Sequence, residues 1–228
     1  VSTGEITAAG DILLNAGETN EEDRTADITL SAAVTSGAGD ISVIARDSIT
    51  QNTDGDITAS GTGTTIDLKA DNAMTMVDGA LTTSSDGNIR YEATTGDITL
   101  GELTTGATGT TTGGVALIAT AGSILDLGTD TSTYDITAND LQLTAGTAIG
   151  TFDNQIETSV DNLSTVSTGG ATFITEADGV TIRDLSLTVN RVGSDGSTSR
   201  TTADAQQDLS SGADLVLMTS DGGIATTA

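Results

Sequence analysis

One short signal recurs along the chain and limits what it can fold into: a Gly, a small polar or acidic residue, then Ile or Leu. It stands as Gly4-Glu5-Ile6, Gly10-Asp11-Ile12, Gly39-Asp40-Ile41, Gly55-Asp56-Ile57, Gly87-Asn88-Ile89, Gly96-Asp97-Ile98, Gly101-Glu102-Leu103 and Gly122-Ser123-Ile124. Looser copies are Ala26-Asp27-Ile28, Tyr134-Asp135-Ile136 and Asn139-Asp140-Leu141. From Ile41 through Ile49, Ile57, Ile66, Met74, Leu81 and Ile89 to Ile98 the apolar anchors fall every seven to nine residues. Self-similarity at a short period marks repeat architectures, in which one unit buries its apolar face only against the next. Gly turns the chain, Asp or Asn caps the turn, and the aliphatic residue enters the core.

After each turn the sequence alternates. Ile28-Thr29-Leu30, Ile66-Asp67-Leu68, Ile98-Thr99-Leu100, Leu141-Gln142-Leu143 and Leu215-Val216-Leu217 place apolar residues at period two. That is the period of a strand with one face inward. No helical spacing is sustained, and Thr, Val and Ile favour strands. Short strands joined by short turns also suit a sandwich or barrel. A chain without Pro and with a near-constant unit favours a solenoid instead. Two or three units per rung give rungs of roughly 16–25 residues. The expected fold is therefore all-β: a parallel β-helix (β-solenoid) of about ten short rungs, forming a single segment over residues 1–228. Ile stacks on Ile at about 4.8 Å per rung, and Thr and Asn ladders line the outside. Aromatics are 2% of residues and Trp is absent, as a narrow interior filled by medium aliphatics requires. Met74 and Met76 read as core.

Four segments break the rhythm: 15–27, 104–114, 126–133 and 191–212. They read as loops thrown out between rungs. The last would equally link two solenoid blocks, although the pattern resumes at Leu215. The chain opens at Val1 without Met, which reads as a piece of a longer polypeptide.

Charge narrows the function. There are 33 acids against 7 bases, a net charge of −26, and Lys69 is the single Lys. Such a polyanion repels nucleic acid and anionic membranes. Absence of Cys removes disulfides, thiol nucleophiles and zinc–thiolate sites. Absence of His removes the usual general base and any conventional Ser-His-Asp triad. No run approaches the roughly 18 apolar residues that span a bilayer, so membrane insertion is not expected. Gly61-Thr62-Gly63 is too short for a dinucleotide fingerprint.

Two kinds of site remain. Acidic turns at Asp54-Gly55-Asp56, Ser85-Asp86-Gly87-Asn88 and Ser194-Asp195-Gly196-Ser197 gather oxygen ligands of the type calcium takes. Asp54, Asp56, Asp86 and Asp195 are thus the calcium candidates, and no other cofactor is implied. The simpler reading is that these residues cap turns through backbone hydrogen bonds. Glycoside chemistry needs two acids at a set separation, and Glu21, Glu22 and Asp23, or Glu176 with Asp178, supply pairs. Sugar clefts also use aromatic platforms, and only Tyr91, Tyr134, Phe152 and Phe173 are available, with Phe173 expected in the core. A cleft lined by acids beside an exposed aromatic would favour that chemistry.

The run Leu141-Gln142-Leu143-Thr144-Ala145-Gly146-Thr147-Ala148-Ile149-Gly150, followed by Ile156-Glu157-Thr158-Ser159-Val160-Asp161-Asn162-Leu163 and Gly169-Gly170-Ala171-Thr172-Phe173-Ile174-Thr175-Glu176-Ala177-Asp178-Gly179-Val180-Thr181-Ile182, resembles the repeat of filamentous-haemagglutinin-like exoproteins and their giant bacterial relatives. One departure is Gln155, where those repeats often carry Pro after Asn. The resemblance implies a right-handed parallel β-helix, secreted and displayed on the cell surface as a stalk, fibre or adhesin, with no catalytic residues in the repeat. Its partners would be neighbouring repeats, or other copies stacked end to end, and cell-surface or matrix glycans.

Overall fold

A computed structural model describes residues 4–17, 25–106, 113–128 and 133–227. These residues form 24 strands and no helix. Nearly all strands pair in parallel with the equivalent strand one turn away, so the chain winds as a β-solenoid with three faces.

The first face stacks Ile6–Ala8, Val34–Ser36, Ile57–Ala59, Leu81–Ser84 and Glu102–Thr105. The second stacks Ile12–Ala16, Ile41–Ala45, Ile66–Ala70, Ile89–Ala93 and Gly114–Ala119. Two longer strands, Ile136–Ala145 and Ile156–Ser167, run through the corner and serve both faces, which merge into one 17-stranded sheet. The third face is a 5-stranded sheet of Ile28–Leu30, Ile49–Gln51, Met74–Met76, Ile98–Leu100 and Ile124–Asp126.

Register follows the apolar anchors. On the second face Ile12, Ile41, Ile66, Ile89, Val115, Leu141 and Leu163 stack in one column. A second column at the narrow corner holds Ala16, Ala45, Ala70, Ala93, Ala119, Ala145 and finally Ser167. The outward column of the first face is a ladder of Thr7, Thr35, Thr58, Thr83, Thr104 and Thr137. Met74 and Met76 are buried, as their spacing predicts.

Three expectations need correction. The chain makes about six turns, not ten. Along most of the solenoid equivalent residues lie 21 to 29 positions apart, narrowing to 18 between Ile156 and Ile174 and widening to 33 between Leu103 and Ile136, because three units complete a turn. Leu81 is not an inward anchor. Thr82 takes the position in register with Ile57 and Leu103. Its Oγ1 lies 2.7 Å from the Tyr91 hydroxyl, which donates to Gln51 Oε1 at 3.1 Å. A small residue is needed there because Tyr91, the largest fully buried side chain, fills the adjoining interior.

The third correction concerns 191–212. Thr188–Val192 and Thr198–Thr202 form an antiparallel hairpin, and Leu209–Ser211 is again a solenoid strand. The chain leaves the second face after Ile182, which pairs with Leu163, and rejoins it at Leu209, which pairs with Thr165. Between these points the arm folds back across the outer side of that face. It buries the outward column Ser42, Asp67, Arg90, Ala116, Gln142 and Ser164. The Val192 N–H donates to Ser42 Oγ at 2.9 Å, and the Asn88 Nδ2–H donates to the Thr188 carbonyl at 2.8 Å. Gln206 Nε2–H donates to the Leu143 carbonyl at 3.0 Å, and Leu187 and Ala203 pack on Ala116.

Candidate functional site

The acids of the repeated turn act between rungs. Asp40 accepts the Thr65 N–H at 2.7 Å, Asp56 the Leu81 N–H at 3.0 Å, Asp97 the Ser123 N–H at 2.7 Å and Asp11 the Asp40 N–H at 2.8 Å. Each side chain thus satisfies a corner amide that the stacked backbone leaves open. Of the four calcium candidates, Asp56 works in this way, and Asp86 accepts the Gly63 N–H. Asp54 is exposed in its turn. Asp195 lies at the tip of the arm, where hydrogen bonds from the Ser197 hydroxyl and N–H hold its carboxyl below the usual range. Asp54 and Asp56 share one turn, while Asp86 and Asp195 lie elsewhere, so the four are not gathered into one site.

The proposed carboxylate pairs fare differently. Glu21, Glu22 and Asp23 lie outside the described residues. Glu176 is fully buried, facing inward in its strand, while Asp178 is exposed. Glu176 accepts the Val160 N–H at 3.0 Å and the Thr158 hydroxyl, so it fills a gap in the inter-rung bonding. Burial pushes its carboxyl up despite those bonds.

A set that sequence reasoning missed converges where the third face turns into the first. Carboxylate oxygens of Asp126, Asp135 and Glu157 all lie within 4.8 Å of one another. Asp126 ends a third-face strand, while Asp135 and Glu157 begin first-face strands one turn apart. The Glu157 N–H donates to Asp135 Oδ2 at 2.9 Å. Burial pushes the Asp135 carboxyl up to about 9, and the charges of Asp126 and Glu157 add to the rise. The nearby Glu157 side chain further favours the protonated form of Asp135. The signal was available: Glu157 stands 22 residues after Asp135, one turn on, in the same column. It stays hidden until the rung length is fixed, since the residues alone allow rungs of roughly 16–25.

Beside this cluster lies a groove of about 390 Å³. Tyr134, Phe152, Asp153, Asn154, Gln155 and Glu157 contribute to its lining. Phe152 is 76% exposed and Tyr134 48%. Phe173, expected in the core, faces outward and is half-buried, since Thr172 and Ile174 take the inward positions. Its ring meets Phe152 edge-on, with centroids 6.2 Å apart. Acids beside exposed aromatics are thus present. The three carboxylates, however, converge on one another, whereas hydrolysis of a glycosidic bond uses two that flank it, about 5–9.5 Å apart. As a cation site the cluster offers three hard oxygen ligands of the six to eight that calcium takes, in competition with the Asp135 proton.

A second charge cluster lies under and beside the arm. Asp67, fully buried, accepts from Arg90 Nε at 3.0 Å and Arg191 Nε at 2.7 Å. Arg90 also reaches Glu92 at 2.7 Å, and Lys69 does so at 2.8 Å. Burial opposes the charge on Glu92, but the Lys69 hydrogen bond and the nearby cations outweigh it and hold the carboxyl low. The network joins the arm to two rungs.

Comparison with known proteins returns no matching family model, no matching curated protein and no matching solved structure.

Proposed function

We propose that the chain is a structural and adhesive segment of a secreted bacterial surface fibre or filament, without catalysis of its own. The observation that carries this reading is the unbroken second-face register from Ile12 to Leu163. Backbone hydrogen bonds therefore run along the solenoid axis, the direction in which a stalk bears load. The Thr ladder outside and the resemblance to filamentous-haemagglutinin-like repeats support the same reading. Partners would be neighbouring repeats of one polypeptide or copies stacked end to end, with glycans as the surface to which the fibre adheres. The charge of −26 argues against nucleic acid. No helix among the described residues is long and apolar enough to cross a membrane. An antibody against the chain is expected to label intact source cells, with the signal stripped by external protease. Labelling seen only after lysis would overturn the proposal.

Convergence of Asp126, Asp135 and Glu157 favours a calcium-stabilised scaffold as the second reading. A melting temperature unchanged between calcium and chelator would remove it.

A further inference from the structure

Aromatic residues are scarce in this chain, yet three of the four gather at one corner. Tyr91 is in the core, while Tyr134, Phe152 and Phe173 sit where the third face meets the first. A Phe left in water forgoes the burial that stabilises a core aromatic, and the outward column of the first face is otherwise a run of Thr. Phe152 is held in that exposed position. Thr151 and Asn154 close the loop beneath it: the Thr151 N–H donates to the Asn154 carbonyl at 2.7 Å, and the Asn154 N–H donates to Thr151 Oγ1 at 2.9 Å. The Asn154 Nδ2–H pins the loop to the Asp126 and Gly128 carbonyls at 3.1 and 2.9 Å. The edge of Phe173 braces the ring from the side.

The groove between Phe152 and Tyr134 is therefore pre-shaped, with apolar ring faces beside the carboxylate and amide groups of Asp153, Gln155 and Glu157. A pyranose ring has the matching chemistry: a C–H face that stacks on an aromatic ring and hydroxyls at the rim that donate to carboxylates. At about 390 Å³ the space lies at the small end of ligand sites, which suits one or two sugar rings. Among the described residues no Lys or Arg lines it, so sulfated or uronate chains would meet carboxylates with no compensating cation there.

We propose that this corner groove binds a pyranose oligosaccharide free of acidic substituents, stacked on Phe152 and Tyr134. The inference deepens the adhesive reading by naming the chemistry of its partner. The test is calorimetric titration of the whole chain with neutral gluco-, galacto-, manno- and chitin-type tetrasaccharides, the chitosan tetrasaccharide, and a heparin tetrasaccharide. At least one neutral or amino-bearing sugar is expected to bind, and heparin is not. Phe152→Ala and Tyr134→Ala should each weaken binding by about tenfold or more. Both side chains are exposed, so circular dichroism and melting should be unchanged. Three results would overturn the site: no neutral or amino sugar binding at about 1 mM, heparin binding as well as the rest, or affinity indifferent to Phe152→Ala. A chitosan signal that vanishes in salt and survives Phe152→Ala counts as the last of these. Surface labelling that persists while the groove fails would leave the stalk standing and remove only the groove.

Discussion

At Gly87 an added methyl carbon would sit 1.9 Å from the carbonyl oxygen of Thr64, one rung away. At Gly39 it would sit 2.2 Å from the Asp11 amide nitrogen. The glycine of the repeated turn is thus required by axial close approach of backbones, more than by an unusual backbone angle. Gly10, in the first described turn, has nothing within 4 Å of that position. Gly87→Ala is therefore expected to cost about 1–3 kcal/mol, and Gly10→Ala less than about 0.5 kcal/mol, both read from urea denaturation. The aspartate obeys the same axial logic. Asp40 accepts both the N–H and the hydroxyl of Thr65, at 2.7 and 2.9 Å. Asp40→Ala should cost about 1–3 kcal/mol by leaving a buried amide unpaired, while Asp195→Ala at the exposed arm tip should leave stability unchanged. Equal effects would mean that the acids only cap their own turns. From sequence, the residue types at the turn were legible and their partners were not, because a partner 25 residues away is set by rung length.

The arm is the element that sequence patterning hid. Its strand Thr188-Val189-Asn190-Arg191-Val192 does not keep period two, since the buried Val189 and Val192 stand three residues apart, and only Ser194-Asp195-Gly196 gives a turn signal. Polar content outweighs those few apolar residues, so the segment reads as loop. The buried faces beneath it are also polar, and the match between Asp67 and Arg191 is visible only in three dimensions. Asp67→Ala leaves the buried Arg90 to share Glu92 with Lys69 and removes the carboxylate that Arg191 pairs with. A loss of about 3–5 kcal/mol is expected, together with faster amide exchange in Thr188–Val192. Unchanged exchange there would show that the arm docks without this network. The corner carboxylates give a pH dependence of opposite sense to the usual one. An Asp with its pKa raised from 3.8 to about 9 keeps its proton when folded and loses it when unfolded. Its stabilising contribution is complete below about pH 4 and drains as pH rises towards 9, by up to about 1.4 kcal/mol per pH unit. Asp135→Asn should therefore melt higher than the parent at pH 8 and show a flatter profile between pH 5 and 9. A parent that melts higher at pH 8 than at pH 5, with Asp135→Asn no better, would contradict the raised Asp135 pKa.

At the scale of the molecule, the solenoid class was legible because Ile and Thr alternate in strand after strand, and stacking in register is what buries the inward Ile of each rung. Rung length was not legible, since it varies from 18 residues between Ile156 and Ile174 to 33 between Leu103 and Ile136 without disturbing the columns. The groove was out of reach for the same reason: Asp126, Tyr134, Phe152 and Glu157 meet only when the turn is closed after three units. All of it rests on parallel stacking in this register, and the Thr ladder measures that directly. Spin labels would be attached through cysteines introduced in pairs, with Thr35 fixed and Thr58, Thr83, Thr104 or Thr137 as the second position. Pulsed dipolar spectroscopy should give distances that rise rung by rung, in steps of about 4.8 Å, in the order of the sequence. Distances that do not increase along that series, as a sandwich or barrel of antiparallel strands would produce, would contradict the solenoid.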